Sequence, residues 1–128
     1  MTLLNKIMYV EDDVDIQKVV RLSLEKIGKF NVIICSSGKE ALDTIPQEKP
    51  DLILMDVMMP DMDGPTTFKR IRNTPEIADI PVVFMTAKAQ VKEMTHYREL
   101  GVLDVIVKPF DPVTLPDTVK QIWEANHA

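Results

Sequence analysis

Asp51-Leu-Ile-Leu-Met55 runs directly into Asp56-Val-Met-Met-Pro60-Asp-Met-Asp-Gly64, an apolar run followed by a loop rich in acids, proline and glycine. Apolar residues that do not alternate with polar ones predict a strand buried on both faces, which is the habit of parallel sheets. A parallel strand delivers its last residue, here Asp56, to the carboxyl edge of the sheet. That edge is where open α/β sheets hold ligands. Aspartate also initiates turns, so this segment alone leaves open whether Asp56 is a site residue or simply ends a strand.

Outward from this segment, apolar runs alternate with helical patterns along the whole chain. Strands are predicted at Lys6-Ile-Met-Tyr-Val10, Asn31-Val-Ile-Ile-Cys35, Asp51 to Met55, Pro81-Val-Val-Phe-Met85 and Asp104-Val-Ile-Val-Lys108. Between the first two strands, Ile16, Val19, Val20, Leu24 and Ile27 recur at helical spacing, and Gly28 stands where a helix ends. Ser37-Gly-Lys-Glu40 has capping-box spacing ahead of Ala41, Leu42 and Ile45. Pro65 suits the first turn of a helix carrying Phe68 and Ile71. Ala89 to Leu100 is the weakest helix, since Val91, Met94, Tyr97 and Leu100 make a thin stripe; Gly101 ends it. Leu115, Val119, Ile122 and Trp123 mark the last. Five β/α units with short connections predict an α/β fold, a doubly wound five-stranded parallel sheet with helices on both faces.

A chain of 128 residues buries a sufficient core as one domain, expected to span residues 1–128 with no second domain. The net charge of -5 and the scattered Lys and Arg argue against nucleic acid or an anionic membrane as partner. No apolar run approaches the ~20 residues of a membrane span, and Met-Thr-Leu-Leu-Asn-Lys is no signal peptide. The single cysteine, Cys35, reads as a buried strand residue. A reducing, cytoplasmic location is expected.

The strand ends carry the chemistry. Strand one ends in Glu11-Asp12-Asp13, strand three in Asp56, strand four in Thr86, and strand five in Lys108-Pro109. In a parallel sheet these ends share one edge, so the residues converge. Clustered carboxylates repel and need protons or a cation. Hard oxygen ligands without His or Cys suit Mg2+. A metal ion, a lysine, a hydroxyl and a nucleophilic carboxylate together are the parts of a phosphoryl-transfer site.

With these pieces in their order and spacing, the chain resembles the receiver domain of two-component response regulators over essentially its whole length. The matching segments are Val10-Glu-Asp12, Asp56 to Gly64, Met85-Thr-Ala87 and Val107-Lys-Pro-Phe110. The resemblance implies a flavodoxin-like strand order 2-1-3-4-5 and Asp56 as phosphoacceptor. It makes Asp12 a direct Mg2+ ligand, Glu11 a ligand acting largely through bound water, and the backbone carbonyl of Met58 a third protein ligand. Thr86 matches the switch hydroxyl, and Lys108 the lysine that pairs with the acyl phosphate. Asp13, one place beyond the acidic pair, reads as the cap of the first helix. The Lys108–Pro109 bond is expected to be cis, as is typical of that family. Implied partners are a histidine kinase or histidine phosphotransfer protein, a downstream effector protein, and a second copy in a weak homodimer. The homodimer would form through the fourth helix, fifth strand and fifth helix.

Two positions depart from the family. Val105 stands where an aromatic residue is common, three places before the lysine, and its short, stiff side chain cannot make the inward swing of a ring. Pro116 would break the last helix if it lay in its interior, so Asp111 to Leu115 is expected to form a separate turn with the helix beginning at Pro116. Both fall on the surface that would form the dimer. The resemblance also implies that Met58 and Lys88, two places past Asp56 and Thr86, flank the path of a hydrolytic water, and these residue types are expected to hold it poorly. Two other functions stay open. A haloacid-dehalogenase-like phosphohydrolase would want a second Asp at Met58, and a scaffold with this fold would never be phosphorylated.

Overall fold

The computed structural model describes residues 3–87 and 90–127. Its strands are β1 (Lys6–Val10), β2 (Asn31–Cys35), β3 (Leu52–Asp56), β4 (Val82–Thr86) and β5 (Asp104–Val107). They form one parallel sheet in the order β2-β1-β3-β4-β5. The helices are α1 (Val14–Leu22), α2 (Gly38–Glu48), α3 (Gly64–Arg72), α4 (Val91–Leu100) and α5 (Leu115–His127).

Alternation along each strand sorts the core into two layers. Met8, Val10, Ile53, Met55, Val82, Phe84 and Val105 face α2, α3 and α4, meeting Ala41, Ile45, Phe68, Ile71 and Tyr97. Ile7, Tyr9, Leu52, Leu54, Val83, Met85 and Ile106 face α1 and α5, meeting Val20, Leu24, Leu115, Val119 and Trp123. The central strands β3 and β4 are buried at every residue, as the unalternating apolar runs require. The same parity assigns the strand ends. Glu11, Asp56 and Lys108 continue the α1/α5 face, whereas Thr86 continues the face of Phe84, toward α4.

The local signals act where expected, with three refinements. Asp13 caps α1, its carboxylate accepting from the backbone N–H of Asp15 (2.9 Å) and Ile16 (3.1 Å). Ser37 caps α2 by accepting from Glu40 N–H at 3.0 Å, but Glu40 returns its carboxylate to Ser36 N–H at 3.4 Å, so the reciprocal half of the box is displaced by one residue. Asp63 caps α3 through Thr66 N–H at 2.8 Å. The first helix continues past Leu22 into a π turn, Ser23–Ile27, closed by Gly28 N–H donating to Ser23 C=O at 3.1 Å. The wider turn rotates Ile27 out of the predicted stripe and leaves it exposed. Gly28 itself is right-handed and the positive φ falls on Lys29. Gly28 serves by space instead, because a Cβ there would lie 2.8 Å from both Leu24 C=O and the Phe30 ring. Pro116 is the second residue of α5, after a turn in which Leu115 N–H donates to Asp111 C=O at 2.9 Å. The predicted break lies within one residue of its place. Ala89, the predicted start of the fourth helix, lies outside the described residues.

Candidate functional site at the carboxyl edge of the sheet

Four of the predicted strand-end residues, Glu11, Asp12, Asp56 and Lys108, converge. Lys108 Nζ lies 2.9 Å from Glu11 Oε1 and 3.1 Å from Asp56 Oδ1, joining residues from three strand ends. Each of Glu11, Asp12 and Asp56 places a carboxylate oxygen within 4.8 Å of the others. Glu11 and Asp56 are buried and Asp12 is exposed, so the cluster opens on one side.

Backbone geometry fixes each member. Glu11 is held by its N–H donating to Cys35 C=O at 3.0 Å, at the end of the β1–β2 ladder. Tyr9, two residues earlier on the same face, donates its hydroxyl to Glu11 Oε1 at 2.9 Å. Gln17, one turn into α1, ties Glu11 C=O to Ser36 Oγ through its amide. Lys108 is anchored by its N–H donating to Thr86 C=O at 2.8 Å, and the bond to Pro109 is cis, as expected. Beyond Asp56 the chain turns back at once: Gly64 N–H donates to Val57 C=O at 2.9 Å. A Cβ on Gly64 would stand 2.8 Å from Asp56 C=O, so only glycine lets α3 start this close to the site. Met58 carries its side chain on the surface, 64% exposed. Lys88 lies outside the described residues. Thr86 is 1% exposed and faces α4 rather than the cluster.

The electrostatics follow from crowding. Burial pushes Asp56 up to about 6; the Lys108 hydrogen bond opposes that rise and the Glu11 charge adds to it. Burial pulls the Lys108 ammonium down, but its bonds to Glu11 and Asp56 more than offset this and leave it above its ordinary value. Burial and the Glu11 carboxylate raise the Tyr9 phenol, so it stays a protonated donor. A carboxylate cluster that one lysine compensates only in part and that is open to solvent fits a divalent cation, and an all-oxygen donor set fits Mg2+.

Tyr9 and Gln17 are not singled out by the sequence, although Tyr9 sits at i−2 from Glu11, the spacing that puts two strand residues on one face. Tyr97 reads there only as a member of an apolar stripe. In the structure its ring is buried, and burial and the Glu93 charge raise its phenol above the ordinary value while Thr86 opposes that rise.

A doubly wound sheet with three carboxylates, a lysine and a threonine at its carboxyl edge defines the class of phosphoryl-accepting α/β domains. The model of the response regulator receiver domain matches residues 7–120. This chain belongs to the response regulator receiver family. The alkaline phosphatase synthesis transcriptional regulatory protein PhoP of Bacillus subtilis is 38% identical over 117 residues, 91% of this chain and 48% of that protein. The chain thus spans about half the length of the curated relatives it matches. Among solved structures, the chemotaxis protein CheY4 of Vibrio cholerae superposes with TM-score 0.84 at 28% identity, covering 94% of this chain and 99% of that one. A two-component response regulator from Clostridium difficile gives 0.84 at 27% identity, covering 97% and 99%. Receivers are switches whose own chemistry is self-phosphorylation and self-dephosphorylation, and the acidic cluster here is of the kind that accepts phosphoryl groups in the family. No helix among the described residues is long and apolar enough to cross a membrane.

Proposed function

We propose that Asp56 accepts a phosphoryl group from a phosphohistidine on a histidine kinase or histidine phosphotransfer protein. A carboxylate oxygen of Asp56 attacks phosphorus, the phosphorus–nitrogen bond of the donor breaks, and imidazole leaves. The observation that carries this reading is the Lys108 ammonium held against both Glu11 and Asp56 beside the open Asp12. Lys108 keeps Asp56 ionised, as a nucleophile must be, and stays in place to pair with the charge that the acyl phosphate brings. Glu11, Asp12, Asp56 and the Met58 carbonyl would hold Mg2+, which supplies neutralisation of the phosphoryl oxygens. Thr86 is the hydroxyl that senses the product. The change of state would alter binding to a downstream effector protein, in the cytoplasm. Residues 1–128 serve as one receiver unit, able to form a weak homodimer through α4, β5 and α5.

Incubation with Mg2+ and a phosphohistidine donor or acetyl phosphate should add one stable phosphoryl group, and Asp56→Asn should abolish it. Undiminished labelling of that variant would move the site, with Asp12 the first residue to test. Continuous phosphate release instead of a stable adduct would favour the phosphohydrolase.

A further inference from the structure

Tyr9 stands on β1 between Ile34 of β2 and Leu54 of β3, and its ring is fully buried. Its hydroxyl donates to Glu11 Oε1 at 2.9 Å, the same oxygen that accepts from Lys108 Nζ at 2.9 Å. Glu11 Oε2 accepts a longer bond from Asp13 N–H at 3.3 Å. The two donors to Oε1 differ in freedom. Lys108 carries its ammonium on a flexible stem, is 17% exposed, and already reaches Asp56 Oδ1 at 3.1 Å. The Tyr9 ring is locked inside a sheet buried on both faces. Glu11 is 2% exposed, so its carboxylate meets little water when Lys108 turns away. Removing one partner of a buried ion pair leaves an uncompensated charge, which is strongly unfavourable.

We propose that Tyr9 is a positioning residue for phosphoryl transfer: its hydroxyl holds Glu11 in place while Lys108 turns from Glu11 to the phosphoryl group. This rests on Asp56 being the phosphoacceptor. As the bond from Asp56 to phosphorus forms, charge gathers on the phosphoryl oxygens and draws the ammonium toward them. Without the Tyr9 hydroxyl, that movement takes from Glu11 Oε1 the donor that remains to it. With the hydroxyl present, Oε1 keeps a bond that cannot follow the lysine. Tyr9 sits in the core layer two residues before Glu11 and acts through Glu11 and Lys108, not on the phosphorus.

Tyr9→Phe keeps the ring and removes the hydroxyl. With Mg2+ and acetyl phosphate, from which acetate leaves as Asp56 is labelled, the saturating rate of labelling should fall about tenfold, the lower end of what a hydrogen bond to a charged group contributes. The KM for acetyl phosphate should change by less than about twofold, because the lost bond matters in the transition state and not in binding. In a Glu11→Ala background the same substitution should cost less than about 1.5-fold, the coupling expected of two residues that act together. A second readout needs neither metal nor phosphodonor. In Tyr9→Phe, Glu11 Oε1 leans on Lys108 alone, so the Lys108 ammonium protons, followed by 15N NMR, should exchange with water about threefold more slowly. A Tyr9→Phe protein that labels at the wild-type rate would overturn this role, as would an equal loss in both backgrounds, which marks a residue serving the core alone. Unchanged exchange at Lys108 would overturn it as well, whatever the labelling rate. A wild type that takes no label overturns the phosphoacceptor reading itself, and the role of Tyr9 with it.

Discussion

Asp56 is asked to be both buried and charged, and the conflict has measurable consequences. Its folded pKa of about 6 stands above the ordinary 3.8, so the folded state binds this proton more tightly than the unfolded one. The contribution is therefore favourable at acid pH and is lost as pH rises from about 4 through about 6. At pH 7, in metal-free protein, ionised Asp56 costs on the order of 2–3 kcal/mol at ~1.4 kcal/mol per pKa unit. Asp56→Asn should accordingly raise the melting temperature in EDTA at pH 7, with the gain fading toward pH 4. A variant less stable than wild type at pH 7 would show that the Lys108 pair outweighs the crowding. Lys108→Ala should leave a folded protein, since the ammonium serves the carboxylates and not the core, while abolishing the signalling response. Wild-type labelling and partner binding in that variant would sink the proposed ion pair. At Met58 the side chain is exposed two places beyond the phosphoacceptor, and a thioether accepts hydrogen bonds poorly. Met58→Asn should speed loss of the phosphoryl group about tenfold, equivalent to ~1.4 kcal/mol of barrier. Unchanged decay in purified protein would remove Met58 from any part in positioning water.

Among the elements, the junction of β3 and α3 is the least tolerant. Gly64→Ala places a methyl group 2.8 Å from Asp56 C=O and 3.0 Å from Val57 Cα, both backbone atoms that cannot swing away. It should destabilise by about 2 kcal/mol or more, in the range of other overpacking changes, and reduce labelling at Asp56 by shifting that residue. A Gly64→Ala protein with wild-type melting and labelling would mean that the junction yields at no cost. The glycine is visible in the sequence as the end of the acidic loop, but its reason is not, because the clash is with backbone eight residues away. The strands are legible because runs such as Leu52–Met55 are buried on both faces and admit no polar residue. The caps at Asp13 and Ser37 act within four residues of themselves, and local chemistry of that kind can be read from a string. The π turn at Ser23–Ile27 cannot be, since a 3.6-residue period assumes a regular helix and sends Ile27 inward. Tyr97 is hidden for a related reason: α4 has too few apolar residues to show which member of its stripe is buried.

At the scale of the molecule, the site is where the fold's electrostatic strain collects. Two strand ends bring Glu11, Asp12 and Asp56 together, and a third supplies Lys108, which offsets them in part. The sheet beneath is buried on both faces and cannot relax to spread the charges. A cation that binds only the folded cluster should therefore stabilise the entire domain, by about 2.7 kcal/mol at a hundred times its dissociation constant. Mg2+ titrated into the EDTA-treated protein should raise the melting temperature by several degrees, in a saturable manner. Ca2+ tests the donor set further, since it accepts more and longer oxygen contacts than a cluster of three carboxylates supplies. Asp12→Asn removes a carboxylate from the open side of the cluster without touching the Lys108 pair, so it should weaken the Mg2+ response at least tenfold, ~1.4 kcal/mol of binding. The apo variant should match or exceed wild-type stability, because one repelling charge is gone. A Mg2+ shift in Asp12→Asn equal to that of the wild type would place the cation elsewhere on the molecule and detach the acidic cluster from its proposed role.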